Sequence, residues 1–264
     1  MIESARSAVV KRVRALRQKQ TRSETGLMLC EGPQVVRELI RHRVELAVEL
    51  YLTTAAHERY PELAAQAIGA GVQVELASEE ALAAMADTQT PQGIVAVARQ
   101  SPVALRDLVD TDTRLVVLLD EVRDPGNAGT VIRAADSAGA DAAVLTGTSV
   151  DPYNPKVVRA TTGSLFHLGV TTGVTLAAAV GALRDAGLQI LVTDMAGEPL
   201  PTLGEALSRP TAWLFGNEAH GVSAEARALA DRVVSVPIYG AAESLNLATA
   251  ASVCLYASAF AQRG

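Results

Sequence analysis

The chain has 264 residues, 49% of them hydrophobic and 20% charged, with a formal net charge of −6. This is a globular profile, sufficient for one large or two modest domains. No run of roughly eighteen uncharged apolar residues is present, which excludes a membrane-spanning helix of the usual kind. The first residues, MIESARSAVVKRVRALRQKQ, have neither the apolar centre nor the cleavage site of a signal peptide.

The expected elements alternate between helix and strand. SARSAVVKRVRALRQKQ reads as one basic helix with Val9, Val13 and Leu16 along an apolar stripe. LMLCEG reads as a short strand, and PQVVRELIRH as a helix with Pro33 in its first turn. LAVELYLT is a strand, ERYPELAAQAIGAG a helix closed by glycine, VQVELA a strand, SEEALAAMAD a capped helix and QGIVAVAR a strand. QSPVALRDLVDTDTR is a linker carrying a short helix, and it sets the expected boundary between domains of residues 1–105 and 106–264. The second half opens with the strand RLVVLLDEV, the helix NAGTVIRAADSAG and the strand AAVLTG. The helix PKVVRATTGSLFHL and a short strand near GVTT come next. Then follow TLAAAVGALRDAG (helix), LQILVTDM and TAWLFGN (strands), SAEARALA (helix), RVVSVPI (strand) and a long final helix, SLNLATAASVCLYASAFAQ. Strands that are continuous apolar runs separated by helices predict a mostly parallel sheet covered on both faces, hence an α/β fold.

The total charge hides an asymmetry. The first 43 residues hold ten Lys or Arg against four Glu, and the remainder is acidic. A polyanion partner is one reading of this; a basic helix that merely solvates its own face is the other. Cys30 and Cys254 make no metal motif and are expected to be small buried residues of a reducing compartment. His42, His57, His167 and His220 show no ligand spacing, so no metal is expected.

In parallel sheets ligands collect beyond the carboxyl ends of the strands. There the sequence places RDPGNAGTVIR, TDMAGEPL, GNEAHGVS and PIYGAAESLNLA, with small polar residues among glycines. No G-x-G-x-x-G fingerprint and no P-loop is present, which argues against a dinucleotide and against ATP. Neither Ser164 nor Ser223 sits in a G-x-S-x-G elbow, which argues against a hydrolase.

NAGTVIR fits N-x-G-x-x-x-R, LFGNEAHGVS fits G-x-E-x-x-G, and VPIYGAAESLNLATAASVCLYA fits a P-[IM] element followed by S-L-N at a helix start. In this order the three resemble the signature motifs of the SpoU (TrmH-like) family of RNA ribose 2′-O-methyltransferases. The basic N-terminus with TRSETGLMLCEGPQVVREL resembles the small RNA-binding domain, ribosomal-protein L30-like, of the ribosomal-RNA members. The resemblance implies a C-terminal trefoil-knotted SPOUT domain, with the chain from about Phe215 threading an earlier loop. It also implies S-adenosylmethionine as methyl donor, a homodimer through the knotted domain, no metal, and a cytoplasmic enzyme. The implied substrate is RNA, 23S ribosomal RNA first and transfer RNA as the nearest rival. A non-catalytic RNA-binding protein of the same fold is the alternative of a different class.

The roles implied follow the motifs. Arg133 would hold the phosphate beside the target ribose or lie against its 2′-hydroxyl. A general-base role is harder to defend for a group with a pKa above roughly 12. Asn127 would start its helix and organise the loop, and Glu218 would orient Arg133 or the substrate. Ser244 and Asn246 complete the catalytic set, with Ser244 also the expected cap of the last helix. Thr193, Gly216, Asn217, Val236, Ile238 and Leu245 would hold the cofactor, Gly216 and Gly221 by admitting backbone close to it. Motif two departs from the commoner EGxG pattern, since Ala219 follows Glu218. Lys11, Arg12, Arg14, Arg17, Lys19 and Arg22 would contact RNA phosphates.

Overall fold

A computed structural model describes residues 1–264. The chain forms two compact units, one of residues 1–101 with 151–167, the other of residues 102–150 with 168–264.

The first unit begins with α1 (Ala8–Ala15) and α2 (Lys19–Thr25), where a single basic helix was expected. The break has a physical cause in Arg22. Its Nη1 donates to the Leu16 and Arg17 carbonyls, at 2.9 Å each, satisfying acceptors that the end of α1 leaves open. Its Nε and Nη2 hold Asp151 at 3.0 and 2.6 Å. The buried stripe of α1 is Val10, Val13 and Leu16; Val9 sits half-buried at its edge.

β1 (Leu27–Glu31), α3 (Pro33–Arg43), β2 (Ala47–Leu52), α4 (Thr54–Arg59), α5 (Pro61–Gly69), β3 (Gln73–Leu76), α6 (Glu79–Met85) and β4 (Ile94–Arg99) follow. The segment read as one helix from Glu58 is two, because Pro61 has no N–H to continue α4 and instead opens α5. The sheet order is β1-β4-β2-β3, with β4 antiparallel to both neighbours and β2 parallel to β3. One face packs Leu29, Tyr51, Val95 and Val97 under Val10, Val13, Leu82 and Met85.

The second unit starts with α7 (Leu105–Leu108) in the expected linker, then β5 (Leu115–Asp120), α8 (Pro125–Ser137) and β6 (Ala142–Thr146). The excursion 151–167, which belongs to the first unit, carries α9 (Pro155–Thr161). This helix stops early because Thr162 and Gly163 adopt left-handed backbone, at φ 51° and 109°. The second unit resumes with β7 (Gly169–Val174), α10 (Leu176–Asp185), β8 (Gln189–Pro199), β9 (Thr211–Phe215), α11 (Ala224–Ala228), β10 (Arg232–Ser235) and α12 (Leu247–Arg263). Its six strands are all parallel, in the order β10-β8-β9-β5-β6-β7. β5, β6 and β9 are buried along their whole length, as continuous apolar runs require. Trp213 donates its indole N–H to Ser258 of α12 at 2.9 Å, both buried, which satisfies two polar groups inside the core.

Two helix starts differ from expectation. Asp124, not Asn127, caps α8: its Oδ1 accepts from the Asn127 N–H at 2.7 Å, and Pro125 occupies the first turn, where its missing N–H costs nothing. Asn246, not Ser244, caps α12, accepting from Ala248 and Thr249 at 2.9 and 3.3 Å.

No helix is long and apolar enough to cross a membrane. Cys30 and Cys254 are free and buried, and burial pushes both thiols up to about 12. At pH 8 the thiolate that reacts is therefore almost absent. Ellman's reagent is expected to leave the folded protein unmodified and to titrate both thiols after unfolding. A fast native reaction at pH 8 would contradict this burial.

Candidate active site

The carboxyl ends of β8, β9 and β10, the loop into α12 and the first turn of α8 enclose a cavity of about 500 Å³. β8 pairs with β10 up to Val192 and resumes at Glu198. The residues between leave the ladder, and Thr193, Asp194 and Met195 among them line the cavity. Gly216, Asn217 and Glu218 enter from β9. Val234, Val236 and Ile238 form the wall after β10, and Ser244, Leu245 and Asn246 the approach to α12. Asn127 closes the side facing α8.

The three motifs are joined by one hydrogen-bond chain. The Glu218 carboxylate accepts from the backbone N–H groups of Arg123 and Asp124, at 3.3 and 3.2 Å, and from Asn127 Nδ2 at 3.3 Å. Asn127 Oδ1 accepts from Asn246 Nδ2 at 2.9 Å, and Asn246 Oδ1 caps α12. A carboxylate beside the first turn of α8 also meets the positive end of that helix dipole. Asn217 braces the loop from behind. It donates to the Glu121 carbonyl at 2.8 Å and accepts from Ala219 N–H at 2.9 Å. Glu121 carries the strain of this corner, at φ 58°. Hydrogen bonds from Thr148, and then Arg123, hold its carboxyl below the usual range.

The only charged side chains lining the cavity are Asp194 and Glu218, both acidic. Neither lysine nor arginine lines it, and of the two carboxylates Asp194 is ion-paired with Arg227 at 2.5 Å, which leaves Glu218 as the one without a cationic side-chain partner. An uncharged ring with a cationic substituent suits it better than a polyphosphate. The apolar side chains of Val222, Val234, Val236, Ile238 and Leu245 offer a slot for such a ring. The volume lies in the range of small-molecule sites.

Every residue expected to hold the cofactor lines this cavity, and so do Asn127, Glu218, Ser244 and Asn246. Sequence reading missed Asp194, Met195, Val222 and Val234. The signal for Asp194 was present in TDMAGEPL, where it directly follows Thr193. Arg133 is exposed and does not line the cavity. It stands eight residues after Pro125, roughly 12 Å along α8.

The basic set divides. Lys11, Arg14 and Arg17 line a shallow depression with Ala15 and Gln18, and Lys19 is exposed. Arg12 is engaged by Glu49 at 2.9 and 3.0 Å. Arg17 also donates to the Ala84 carbonyl at 3.1 Å. Arg22 departs from its expected role: it is 2% exposed and its guanidinium is consumed by Asp151 and backbone carbonyls.

At the strand ends of this all-parallel sheet Glu218, Asn127 and Asn246 form one hydrogen-bonded chain beside a largely apolar cavity. Residues 114–256 match the SpoU rRNA Methylase family, and residues 8–96 match the MRM3-like substrate binding domain; the chain belongs to the SpoU family. It is 35% identical over 256 residues, 97% of each chain, to the 23S rRNA (guanosine(2553)-2′-O)-methyltransferase RlmP of Bacillus subtilis. Its fold is similar to that of the AdoMet-bound rRNA methyltransferase from Sinorhizobium meliloti. That similarity has a TM-score of 0.85 and 32% identity, over 97% of this chain and 96% of that one. The SpoU methyltransferase AviRb from Streptomyces viridochromogenes, in complex with AdoMet, has a TM-score of 0.82 and 29% identity, over 97% and 99% of the two chains.

Proposed function

We propose that this chain transfers the methyl group of S-adenosylmethionine to a ribose 2′-hydroxyl of 23S ribosomal RNA, in the cytoplasm. The observation that carries the reading is the cavity: largely apolar, lined by no lysine or arginine, and built from the residues of all three motifs. Bound there, the cofactor supplies an already activated methyl on a sulfonium, so the task left to the protein is to position and deprotonate a weakly acidic alcohol. The backbone beside Val236 and Ile238 is available to the adenine edge, and Glu218 provides a carboxylate at the wall, Asp194 being paired with Arg227. The chain from Glu218 through Asn127 to Asn246 holds the loops at one spacing, which limits the error in methyl-to-hydroxyl alignment. Arg133 holds the RNA phosphate and stabilises charge developing on the 2′-oxygen.

Arg133 reaches such a position from a second copy. α12 exposes Val253, Tyr256 and Phe260 along one stripe. The Tyr256 hydroxyl donates to the carbonyl of Ser137, one turn beyond Arg133 on α8. An apolar stripe beside a partnerless arginine suits a homodimer in which each copy completes the other's site. The second unit, expected as residues 106–264 but lacking 151–167, is assigned the trefoil knot, with the chain after about Phe215 threading an earlier loop. The first unit, expected as residues 1–105 and L30-like in this reading, recognises the RNA.

Methyl transfer from labelled S-adenosylmethionine to total RNA from a strain lacking the gene, with mapping of 2′-O-methyl sites, tests the reading. One labelled ribose in 23S ribosomal RNA is the expected result. Label on transfer RNA would move the target and keep the chemistry. Cofactor binding with no label on free RNA or on ribosomal particles would make the chain a binding protein.

Reversing Lys11, Arg14 and Lys19 to glutamate is expected to weaken RNA binding and to flatten its dependence on log salt by about two to three units of slope. Filter binding across a salt series reads both. Arg12 is left out because its loss would strand the buried Glu49 carboxylate. Unchanged affinity and slope would return α1 to a merely solvated face.

A further inference from the structure

Glu38 and His42 lie one turn apart on α3, and His167 ends the excursion that carries α9. All three belong to the first unit. The Nε2 atoms of both imidazoles point at the same carboxylate oxygen, Glu38 Oε2, at 3.2 Å each. The rings meet edge to face, 4.4 Å between centroids. The three ligand atoms lie within 4.8 Å of one another. In a tetrahedral zinc site, with metal–ligand bonds near 2.0–2.1 Å, adjacent ligand atoms stand about 3.3 Å apart. The separations between Glu38 and the two histidines are therefore those of the edges of such a site.

The surroundings hold the carboxylate in place. Its other oxygen, Oε1, accepts from Gln34 Nε2 at 2.9 Å, which leaves Oε2 as the ligand atom. Glu38 is buried, at 8% exposure. Gly163, at φ 109°, passes so close that a Cβ there would stand 2.4 Å from Glu38 Cγ and 2.5 Å from Cβ. The backbone turn that ends α9 thus lies directly on the stem of Glu38 and restricts its rotamer. Nothing in the proposed methyl transfer uses this cluster.

We propose that Glu38, His42 and His167 bind a divalent transition-metal ion, zinc by preference, supplying at least three of its ligands. Two imidazoles and one carboxylate suit zinc better than magnesium or calcium, which favour all-oxygen sites. The ion fastens the 151–167 segment to α3 within the first unit. Sequence spacing could not reveal it, because His167 joins the pair on α3 only through the excursion.

The test uses the full chain without an affinity tag, stripped with EDTA and dialysed, and titrated calorimetrically with Zn²⁺. One saturable equivalent is expected, accompanied by a rise in melting temperature. Cobalt in place of zinc is expected to give the visible bands of a tetrahedral site. His42→Gln and His167→Gln should each weaken zinc binding by about 100-fold or more, and Gln34→Ala by about tenfold, in line with loss of a supporting hydrogen bond. Circular dichroism and the melting temperature in EDTA establish that each variant is folded, and either histidine variant suffices. Absence of saturable binding by the stripped wild type would overturn the proposal, as would unchanged binding by a folded histidine variant.

Discussion

Arg133→Ala is expected to lower the rate of methyl transfer by about 10²- to 10³-fold, the loss found when one donor to a developing oxyanion is removed. S-adenosylmethionine binding should stay within about twofold of wild type, because Arg133 is exposed and does not line the cavity. Single-turnover kinetics and calorimetry separate the two quantities. A joint loss of binding and rate would make Arg133 a structural residue of α8. Mixing carries the argument further. Asn246→Ala removes both the cap of α12 and the donor to Asn127, and so disables the cavity side of the site. If Arg133 acts across the dimer, an equal mixture of co-refolded Arg133→Ala and Asn246→Ala chains should regain about a quarter of wild-type activity, since half the dimers are mixed and each holds one intact site. If Arg133 acts within its own chain, the mixture stays inactive. A monomer in light scattering would remove the basis of this reading altogether.

Gly216→Ala is expected to weaken S-adenosylmethionine binding by at least about 100-fold, the largest effect predicted for any single methyl group in this protein. A Cβ at position 216 would stand 2.4 Å from the Gly221 carbonyl oxygen and 2.7 Å from Val222 Cα. Both obstacles are backbone, so no side chain can rotate away. The loop from Asn217 to Gly221, closed by the Gly221 N–H to Asn217 carbonyl bond at 2.8 Å, must open instead. That displaces Glu218 from the three donors it serves and alters the wall of the cavity. Thermal shift with a cofactor titration is the measurement, because a ligand that binds only the folded state raises the melting temperature by mass action. A Gly216→Ala protein that melts normally and still shows the wild-type cofactor shift would mean that the loop can relax without harm. Ala219, at the neighbouring departure from the family motif, is exposed and occupies no such contact.

The motifs were legible because they lie at the carboxyl ends of parallel strands, where loops gather on one edge of the sheet; the strand order β10-β8-β9-β5 then decided which of them meet. Asn127, Glu218 and Asn246 come together for that reason. The helix caps were less legible. Aspartate before proline competes with asparagine three residues later, and only the backbone geometry chose Asp124 over Asn127 and Asn246 over Ser244. Asp194 went unnoticed although it directly follows Thr193 in TDMAGEPL, because only the break in register after Val192 turns it toward the cavity.

By itself the sequence determined the alternation of elements, the buried parallel sheet and the three motifs, which rest on local periodicity and on residues close in the chain or ordered along it. The class of chemistry followed from the resemblance of those motifs to the SpoU family. Tertiary structure alone decided which charges are available. Arg22 and Arg12 look like Lys11 and Arg14 in sequence, yet Asp151 reaches Arg22 from elsewhere in the fold and consumes its donors, and Glu49 ties down the Nη2 of Arg12. The same holds for Glu38, His42 and His167, which become a cluster only where the excursion returns to α3. A side chain's charge is written in its sequence. Whether that charge faces solvent, a counter-ion or a ligand depends on distances that only folding sets, because electrostatic and hydrogen-bond energies fall away within a few ångströms.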